Sequence, residues 1–263
     1  MNPEPYFIDT HTHLYLPEFD HDRDRVIETA LQRGVRKLFL PNIDSESIGP
    51  MHSLVSAFPD VCYPMIGLHP TSVKANYREE LKRVEYQLEH EHYIGIGETG
   101  IDLYWDKSSF KEQCLAFSRQ IELSLTYRLP LIIHARESFS EILEILEKYK
   151  GSGLSGIFHA FTGTVETARQ VIAMGFKLGI GGIVTYKNAS LPEVVREIDL
   201  AHLVLETDSP YLTPVPFRGK RNESGYIPYI AEAVKQIKNI PLEEVAAITT
   251  SNVLDMFSLD THE

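Results

Sequence analysis

The chain has 263 residues, 43% of them hydrophobic, and a formal charge of −12. That length buries a core large enough for one domain of about 250 residues, the size of a (β/α)8 barrel, and the acidic balance excludes broad, non-specific nucleic-acid binding through a basic surface. Cys62 and Cys114 sit in apolar patterns and read as buried thiols rather than a disulfide. No basic-then-apolar leader opens the chain and no uncharged apolar run nears ~18 residues, so a cytoplasmic protein without a membrane association is expected.

Short apolar runs alternate with helical patterns from end to end. Phe7–Ile8 is the first predicted strand and leads into His11 and His13. Asp22–Arg33 is a helix that stops at Gly34. Lys37–Leu40 is the second strand, stopped by Pro41, and Ser45–Phe58 is a helix in spite of Gly49-Pro50. Cys62–Gly67 is the third strand, before His69, and the helix Tyr77–Glu91 follows it. Ile94–Gly97 is the fourth, before Glu98. Ser109–Tyr127 is the clearest helix: Ser109 and Glu112 form a predicted capping box, and Phe110, Cys114, Phe117, Ile121 and Leu125 recur at three- and four-residue steps. Leu131–Ile133 leads to His134, after which Ser138 and Glu141 open a helix that buries Phe139, Ile142, Leu146 and Tyr149. Ile157–Phe158 leads to His159, and the helix Val165–Met174 ends at Gly175. Lys177–Ile180 is the seventh strand. Leu203–Leu205 is the eighth, before Asp208. Ile227–Ile237 and Leu242–Phe257 return as helices.

Ligand-type residues thus follow six of these runs. In a closed parallel barrel the carboxyl ends of all strands lie on one face, where residues distant in sequence converge. An open doubly wound sheet would serve its ligand from two or three strands only. The expected fold is therefore α/β, a (β/α)8 TIM-type barrel. It forms a single domain over residues 1–263, because no Ser/Gly tract, charge block or low-complexity run marks a linker.

His11, His13, His134 and His159 with Glu98 and Asp208 make the ligand set of a two-metal hydrolase. Alternate residues of an extended segment point the same way, so His11 and His13 can face one ion. A carboxylate at the end of a buried run, such as Glu98, is costly unless it is paired or metal-bound. His134 or His159 alone reads as a hydrogen-bonded core histidine; their occurrence together at the ends of successive strands favours ligation. In Glu206-Thr207-Asp208 one acid can ligate while the other orients it; Asp208 is the expected ligand and Glu206 its support. Oxygen and imidazole donors without thiolates suit two divalent ions, Mg²⁺, Mn²⁺ or Zn²⁺. The loop Arg218-Gly219-Lys220-Arg221 follows strand eight, a usual phosphate site in barrels, so Arg218, Lys220 and Arg221 are expected to meet substrate phosphates. Arg136 is a weaker candidate of the same kind. Tyr104 and Trp105 read equally as a stacking platform or as packing residues.

At these residues the chain closely resembles the TatD family of metal-dependent deoxyribonucleases. The resemblance runs through Asp9-Thr-His-Thr-His13, Ile66-Gly-Leu-His-Pro70, Ile96-Gly-Glu-Thr-Gly-Ile-Asp102, Ile133-His-Ala-Arg136 and Phe158-His-Ala-Phe-Thr-Gly163. It continues through Gly182-Ile-Val-Thr-Tyr-Lys187, Leu205-Glu-Thr-Asp-Ser-Pro-Tyr-Leu212, Pro216-Phe-Arg-Gly-Lys-Arg-Asn222 and Thr250-Ser-Asn252…Phe257. It implies a barrel of the metal-dependent hydrolase kind that hydrolyses DNA phosphodiesters, with Glu98, Asp208 and His69 in catalytic roles. His11, His13, Glu98 and Asp208 would hold one metal, and Glu98, His134 and His159 the second, Glu98 bridging; His69 would contact substrate or water. Three positions depart from the family pattern: Thr71 stands where many members carry a second histidine, and Ala135 and Ala160 where cysteine is common. These bear on substrate preference and metal choice.

The acidic chain has no basic stripe with which to wrap a duplex. The expected partner is therefore DNA as a single strand or strand end, degraded stepwise in repair or nucleotide salvage by a monomer with no protein partner. The alternative enzyme is an amidohydrolase-type ester or amide hydrolase such as a D-aminoacyl-tRNA deacylase. The common dinuclear amidohydrolase site is bridged by a carboxylated lysine, and Glu98 on the corresponding strand leans toward the phosphodiesterase. A metal-binding scaffold is disfavoured, since buried acids and imidazoles without an ion would destabilise the barrel.

Overall fold

The computed structural model describes residues 5–105 and 107–259. Its eight strands are β1 (Phe7–Asp9), β2 (Val35–Pro41), β3 (Cys62–Ile66), β4 (Gly95–Asp102), β5 (Leu131–Arg136), β6 (Gly156–Phe158), β7 (Phe176–Ile180) and β8 (Leu203–Leu205). They lie side by side in chain order, every neighbouring pair parallel. β8 meets β1 again: Thr10 N donates to Leu205 O at 3.1 Å, and Thr12 and Ser209 form a parallel bridge. The expected (β/α)8 barrel is the fold the chain adopts. Around it run α1 (Arg23–Gln32), α2 (Ser45–Ala57), α3 (Tyr77–His90), α4 (Phe110–Tyr127), α5 (Phe139–Glu147), α6 (Val165–Ala173), α7 (Leu191–Glu197), α8 (Ile227–Lys238) and α9 (Leu242–Phe257).

Two hydrophobic clusters form most of the core, beside a small one of Leu68, Val73, Tyr77, Leu81 and Ala116. Ile8, Phe39, Met65, Ile94, Ile132, Ile157 and Val204 pack together with Val253, Leu254 and Phe257 of α9. The larger cluster, with Leu38, Leu40, Leu131, Ile133 and Leu203, packs between strands and helices. Side chains alternate across a strand. A step of two along β5, β6 and β8 from Ile132, Ile157 and Val204 therefore lands on His134, His159 and Glu206, on the same inner side and one layer nearer the carboxyl end. The polar site is the next storey of the inner core. α9 closes the opposite end: Thr250 Oγ1 donates to Tyr6 O at 2.7 Å, and Asn252 Nδ2 to Leu200 O and Leu203 O, both at 2.8 Å.

Several boundaries depart from the expected ones. β4 and β5 run on to Asp102 and Arg136, with Gly100 paired to His134 and Asp102 to Arg136. The apolar runs end earlier because inward-facing positions there are polar, although the backbone ladder continues. His134 is consequently carried by paired strand, and Glu98 by the register shift of β4 between Ile96 and Thr99, where its N donates to Asn42 O at 3.2 Å. Pro41 belongs to β2 instead of stopping it; the next donor toward β3 is Asn42 N, to Met65 O at 3.1 Å. α7 has no counterpart among the predicted elements, since seven residues are too few for a periodicity. The Ser109–Glu112 capping box does not form; Ser109 Oγ instead accepts from Gln113 Nε2 at 3.1 Å. Phe110 is 38% exposed, and Cys114 is half-buried, whereas Cys62 is buried; both thiols are free. Among the described residues no helix is long and apolar enough to cross a membrane.

Candidate metal centre

The first side of the site is built where β1 meets the loop after β8. The Asp9 carboxylate accepts from Thr207 N at 2.9 Å, Thr207 Oγ1 at 2.6 Å and His11 N at 3.3 Å, tying the two segments together. His11 and His13 turn their Nε2 atoms to within 3.2 Å of each other. Tyr15 OH spends its proton on Pro41 O at 2.6 Å, so the 2.9 Å contact to His13 Nδ1 is a hydrogen bond donated by the imidazole. That tautomer leaves the Nε2 lone pair of His13 facing the site. Asp208 enters at φ 59°, in the left-handed region that Asp tolerates better than most residues, and its N donates to His11 O at 2.9 Å. Its Oδ1 lies 3.5 Å from His13 Nε2 and 3.8 Å from His11 Nε2. Asn222 Nδ2 holds the turn that presents Asp208, donating to Thr207 O at 2.7 Å and Tyr211 O at 2.6 Å.

Glu98 stands at the centre and is almost wholly buried. Its Oε2 faces this first cluster, 3.1 Å from His11 Nε2 and 3.6 Å from His13 Nε2. Its Oε1 faces a second, 2.9 Å from His134 Nδ1 and 3.3 Å from both His69 Nε2 and His159 Nε2. The two oxygens of one carboxylate thus divide the histidines between them. His134 is braced from behind, Nε2 to Asp102 Oδ2 at 2.9 Å. His159 Nδ1 lies 3.2 Å from Glu206 Oε1, which also accepts Ala160 N at 2.5 Å. His69 differs from the rest. Thr71 N donates to its Nδ1 at 3.1 Å, so the neutral ring carries its proton on Nε2, aimed at Glu98. It is a donor beside the cluster, whereas His13 offers a lone pair.

The electrostatics follow from burial and neighbours. Burial alone would raise Glu98, yet the His69, His159 and His11 rings hold it well below the usual carboxylate range. Asp208 is lowered in the same way, burial being outweighed by His159, His13 and His11. Burial works against the charge of His159, but Glu206, Glu98 and Asp208 push it up to about 10. His11 is lowered, by burial and by His159, whose ring stacks on it with centroids 3.6 Å apart.

These residues fit divalent cations. The ligand atoms of His11, His13 and Asp208 lie within 4.8 Å of one another, as do those of His11, Glu98 and His159, and of His69, Glu98 and His134. Buried His11 Nδ1 has no hydrogen-bond partner among the described residues. Imidazole and carboxylate donors without thiol match Zn²⁺, Mn²⁺ or Mg²⁺. Above them opens a cavity of ≈ 650 Å³, lined by Glu98, Asp102, Trp105, Arg136, Asp208 and Tyr211 among others.

All eight residues expected at the site's centre (His11, His13, His69, Glu98, His134, His159, Glu206 and Asp208) converge. The basic loop does not. Arg221 is a correction: Nη1 donates to Asp22 Oδ1 and Glu18 O at 2.8 and 2.6 Å, Nη2 to Asp22 Oδ2 and Glu223 Oε1 at 2.8 and 2.9 Å. Its guanidinium also covers the Phe19 ring at 4.4 Å. It is a staple between two loops, not a free clamp. Arg218 lies over Tyr186 at 4.2 Å, and neither it nor Lys220 lines the cavity, whereas Arg136 does.

The family model described as TatD related DNase matches residues 8–258. The chain belongs to the TatD family. It is similar to the metal-dependent hydrolase YabD of Bacillus subtilis, 40% identical over 253 residues that cover 96% of this chain and 99% of the relative. The metal-dependent hydrolase YcfH of Escherichia coli K12 is 32% identical over 260 residues, covering 97% of each chain. The crystal structure of the TatD homologue YjjV from E. coli superposes with a TM-score of 0.91 at 27% identity, over 97% of this chain and 98% of that one. The chain is accordingly a metal-dependent hydrolase of the TatD family.

Residue-by-residue reading overlooked several supports of this TatD site. Asp102 holds His134, and its own backbone is gripped by Gln113, whose Oε1 accepts Asp102 N at 2.8 Å. Gln120 Oε1 accepts Leu68 N at 2.7 Å and Asn42 Oδ1 accepts Gly67 N at 2.5 Å, fixing the segment before His69. The signal for Asp102 was present in Ile96-Gly-Glu-Thr-Gly-Ile-Asp102, as a second carboxylate within a buried run.

Proposed function

We propose that this TatD-family hydrolase is a deoxyribonuclease that hydrolyses DNA phosphodiester bonds, working stepwise from strand ends. One observation carries the reading: a single buried carboxylate, Glu98, has one oxygen toward the His11/His13/Asp208 cluster and the other toward His134 and His159, at the floor of an open cavity. His11, His13, Glu98 and Asp208 would hold one cation, and Glu98, His134 and His159 the other. Bound there, divalent cations supply a water activated near neutral pH and neutralise charge on the attacked phosphoryl group. Glu206 and Asp102 keep the His159 and His134 rings turned toward Glu98. The Nε2 proton of His69 is a donor available to a reacting oxygen or a water. The polar groups come from one chain, so the reading needs no second subunit, and the two free thiols suit a reducing cytoplasmic setting.

A cavity at a barrel mouth suits a strand end, and a duplex end must first be unpaired. The test is an end-labelled oligonucleotide incubated with metal-loaded protein and Mg²⁺, Mn²⁺ or Zn²⁺. A ladder shortening one nucleotide at a time, faster on single strands than on duplex, is expected. Equal cutting of a closed circular single strand overturns end-dependence. No cutting of any DNA beside clear hydrolysis of D-aminoacyl-tRNA replaces the reading with a deacylase.

A further inference from the structure

Trp105 is 69% exposed and Tyr104 51%. Large aromatic rings ordinarily bury most of their surface, yet these two stand side by side next to the catalytic cavity, their centroids 5.0 Å apart. They do not hang from a loose tip: Asp102 Oδ1 accepts both backbone amides, Tyr104 N at 2.9 Å and Trp105 N at 3.1 Å. The same carboxylate braces His134 through its other oxygen, so the aromatic platform and the site share one anchor.

Arg136 completes the platform. Its guanidinium lies 3.9 Å from the Tyr104 ring centroid and 5.4 Å from that of Trp105. Among the described residues that line the cavity it is the only Lys or Arg, and Glu98, Asp102 and Asp208 line the same cavity. No carboxylate among the described residues forms an ion pair with it, while the adjacent Glu137 is matched by Lys107 at 3.8 Å. Among the described residues Arg136 is therefore a cation without a carboxylate partner at the rim of an acidic cavity, beside two largely exposed aromatic rings. A π face answers any nucleobase, and a guanidinium answers a phosphate.

We propose that Tyr104, Trp105 and Arg136 form a strand-gripping subsite in which an unpaired nucleobase stacks on Trp105 while Arg136 meets an adjoining phosphate. The inference rests on the deoxyribonuclease reading for its substrate class, and it gives that substrate a place on the protein. It assigns to Arg136 the phosphate contact that the 218–221 loop does not provide. Stacking carries no base code, so the subsite selects for single-strandedness and not for sequence.

Trp105 is the only tryptophan in the chain, which makes it a resident reporter. The experiment titrates phosphorothioate-linked oligothymidylate, which resists cutting, into the metal-loaded protein and follows tryptophan emission together with anisotropy of a labelled oligonucleotide. Saturable quenching is expected with oligothymidylate, and weaker binding without quenching for an abasic strand of equal length and linkage. Trp105→Ala should weaken oligothymidylate binding about 5- to 150-fold, the equivalent of one stacked base, and Trp105→Phe should restore most of it. Arg136→Gln should weaken both strands and lower the salt slope of binding by about one. Circular dichroism melts establish that the variants remain folded. Oligothymidylate binding with unchanged emission, equal affinity of wild type and Trp105→Ala, or no binding of either strand overturns the subsite. Quenching without cleavage under any metal removes the deoxyribonuclease reading and leaves the subsite; cleavage without quenching does the reverse.

Discussion

Glu98→Gln is the sharpest perturbation of the centre, because the side chain keeps its volume and loses only its charge and one acceptor. Oε2 lies 3.1 and 3.6 Å from His11 and His13, and Oε1 2.9 to 3.3 Å from His134, His69 and His159. The second cluster loses its only carboxylate, and the first keeps Asp208 alone. Removing a residue that merely supports a ligand costs a metal site about 10–100-fold, and Glu98 faces both clusters, so the two losses multiply to at least roughly 10²–10⁴-fold in turnover. The assay is kcat on a single-stranded oligonucleotide, paired with metal content after equilibrium dialysis against a fixed free Mn²⁺ concentration. Lower metal content with an intact circular dichroism spectrum is the expected companion. A variant that binds its full metal and keeps more than about a tenth of wild-type turnover would refute the assignment of Glu98 to both clusters.

Four further outcomes follow from the geometry. Arg221→Gln should lower the melting temperature while leaving KM for oligonucleotides unchanged, as its partners are Asp22, Glu223 and Glu18 and not the cavity; a raised KM at low salt would return it to the substrate. Arg221 holds the Asp22 carboxyl down at about 2 from an ordinary 3.8, so this pair stabilises the fold above pH 3.8 and is lost as pH falls toward 2. The melting difference between Asp22→Asn and wild type, worth about 1 kcal/mol for a partly exposed charge network, should therefore vanish near pH 2, and a difference that persists there contradicts the pairing. Gly179→Ala should cut activity, because an added Cβ would fall 2.1 Å from Glu206 Oε2 and displace the carboxylate behind His159; crowding of that kind costs about 1–3 kcal/mol, and a variant with wild-type kinetics and melting would show that Glu206 moves freely. Burial pushes the Cys62 thiol up to about 12, so iodoacetamide at mildly alkaline pH should leave it unlabelled in native protein and label it after unfolding, as read by mass spectrometry.

The barrel was legible because each strand interrupts polar sequence with a short apolar run, and the site because its ligands stand where those runs break off. The same rule shortened β4 and β5: an inward-facing Glu98 or His134 ends an apolar run without ending a strand. Serine at a helix start reads as a cap, yet Ser138 Oγ donates to Ile101 O at 2.5 Å, a partner on another strand. Charge alone shows a cation and not its partner. Arg218, Lys220 and Arg221 look alike in the sequence, but Asp22 and Glu18, which claim Arg221, come from the opposite end of the chain. Arg136 was visible only as a lone arginine, because the Tyr104 and Trp105 rings it lies over are set by the backbone grip of Asp102.

The seam between β8 and β1 is held by few backbone bonds: Thr10 N to Leu205 O, His13 N to Ser209 O and Asp208 N to His11 O. Two of these amides belong to residues of the first cluster. An ion drawing His11, His13 and Asp208 together would act as a clasp across the line where the sheet closes on itself. Hydrogen exchange would then expose the coupling: chelation should release the Thr10, His13 and Asp208 amides before those of β3 to β6, so that metal loss begins as an unbuttoning of the barrel wall and not as a general softening of the molecule.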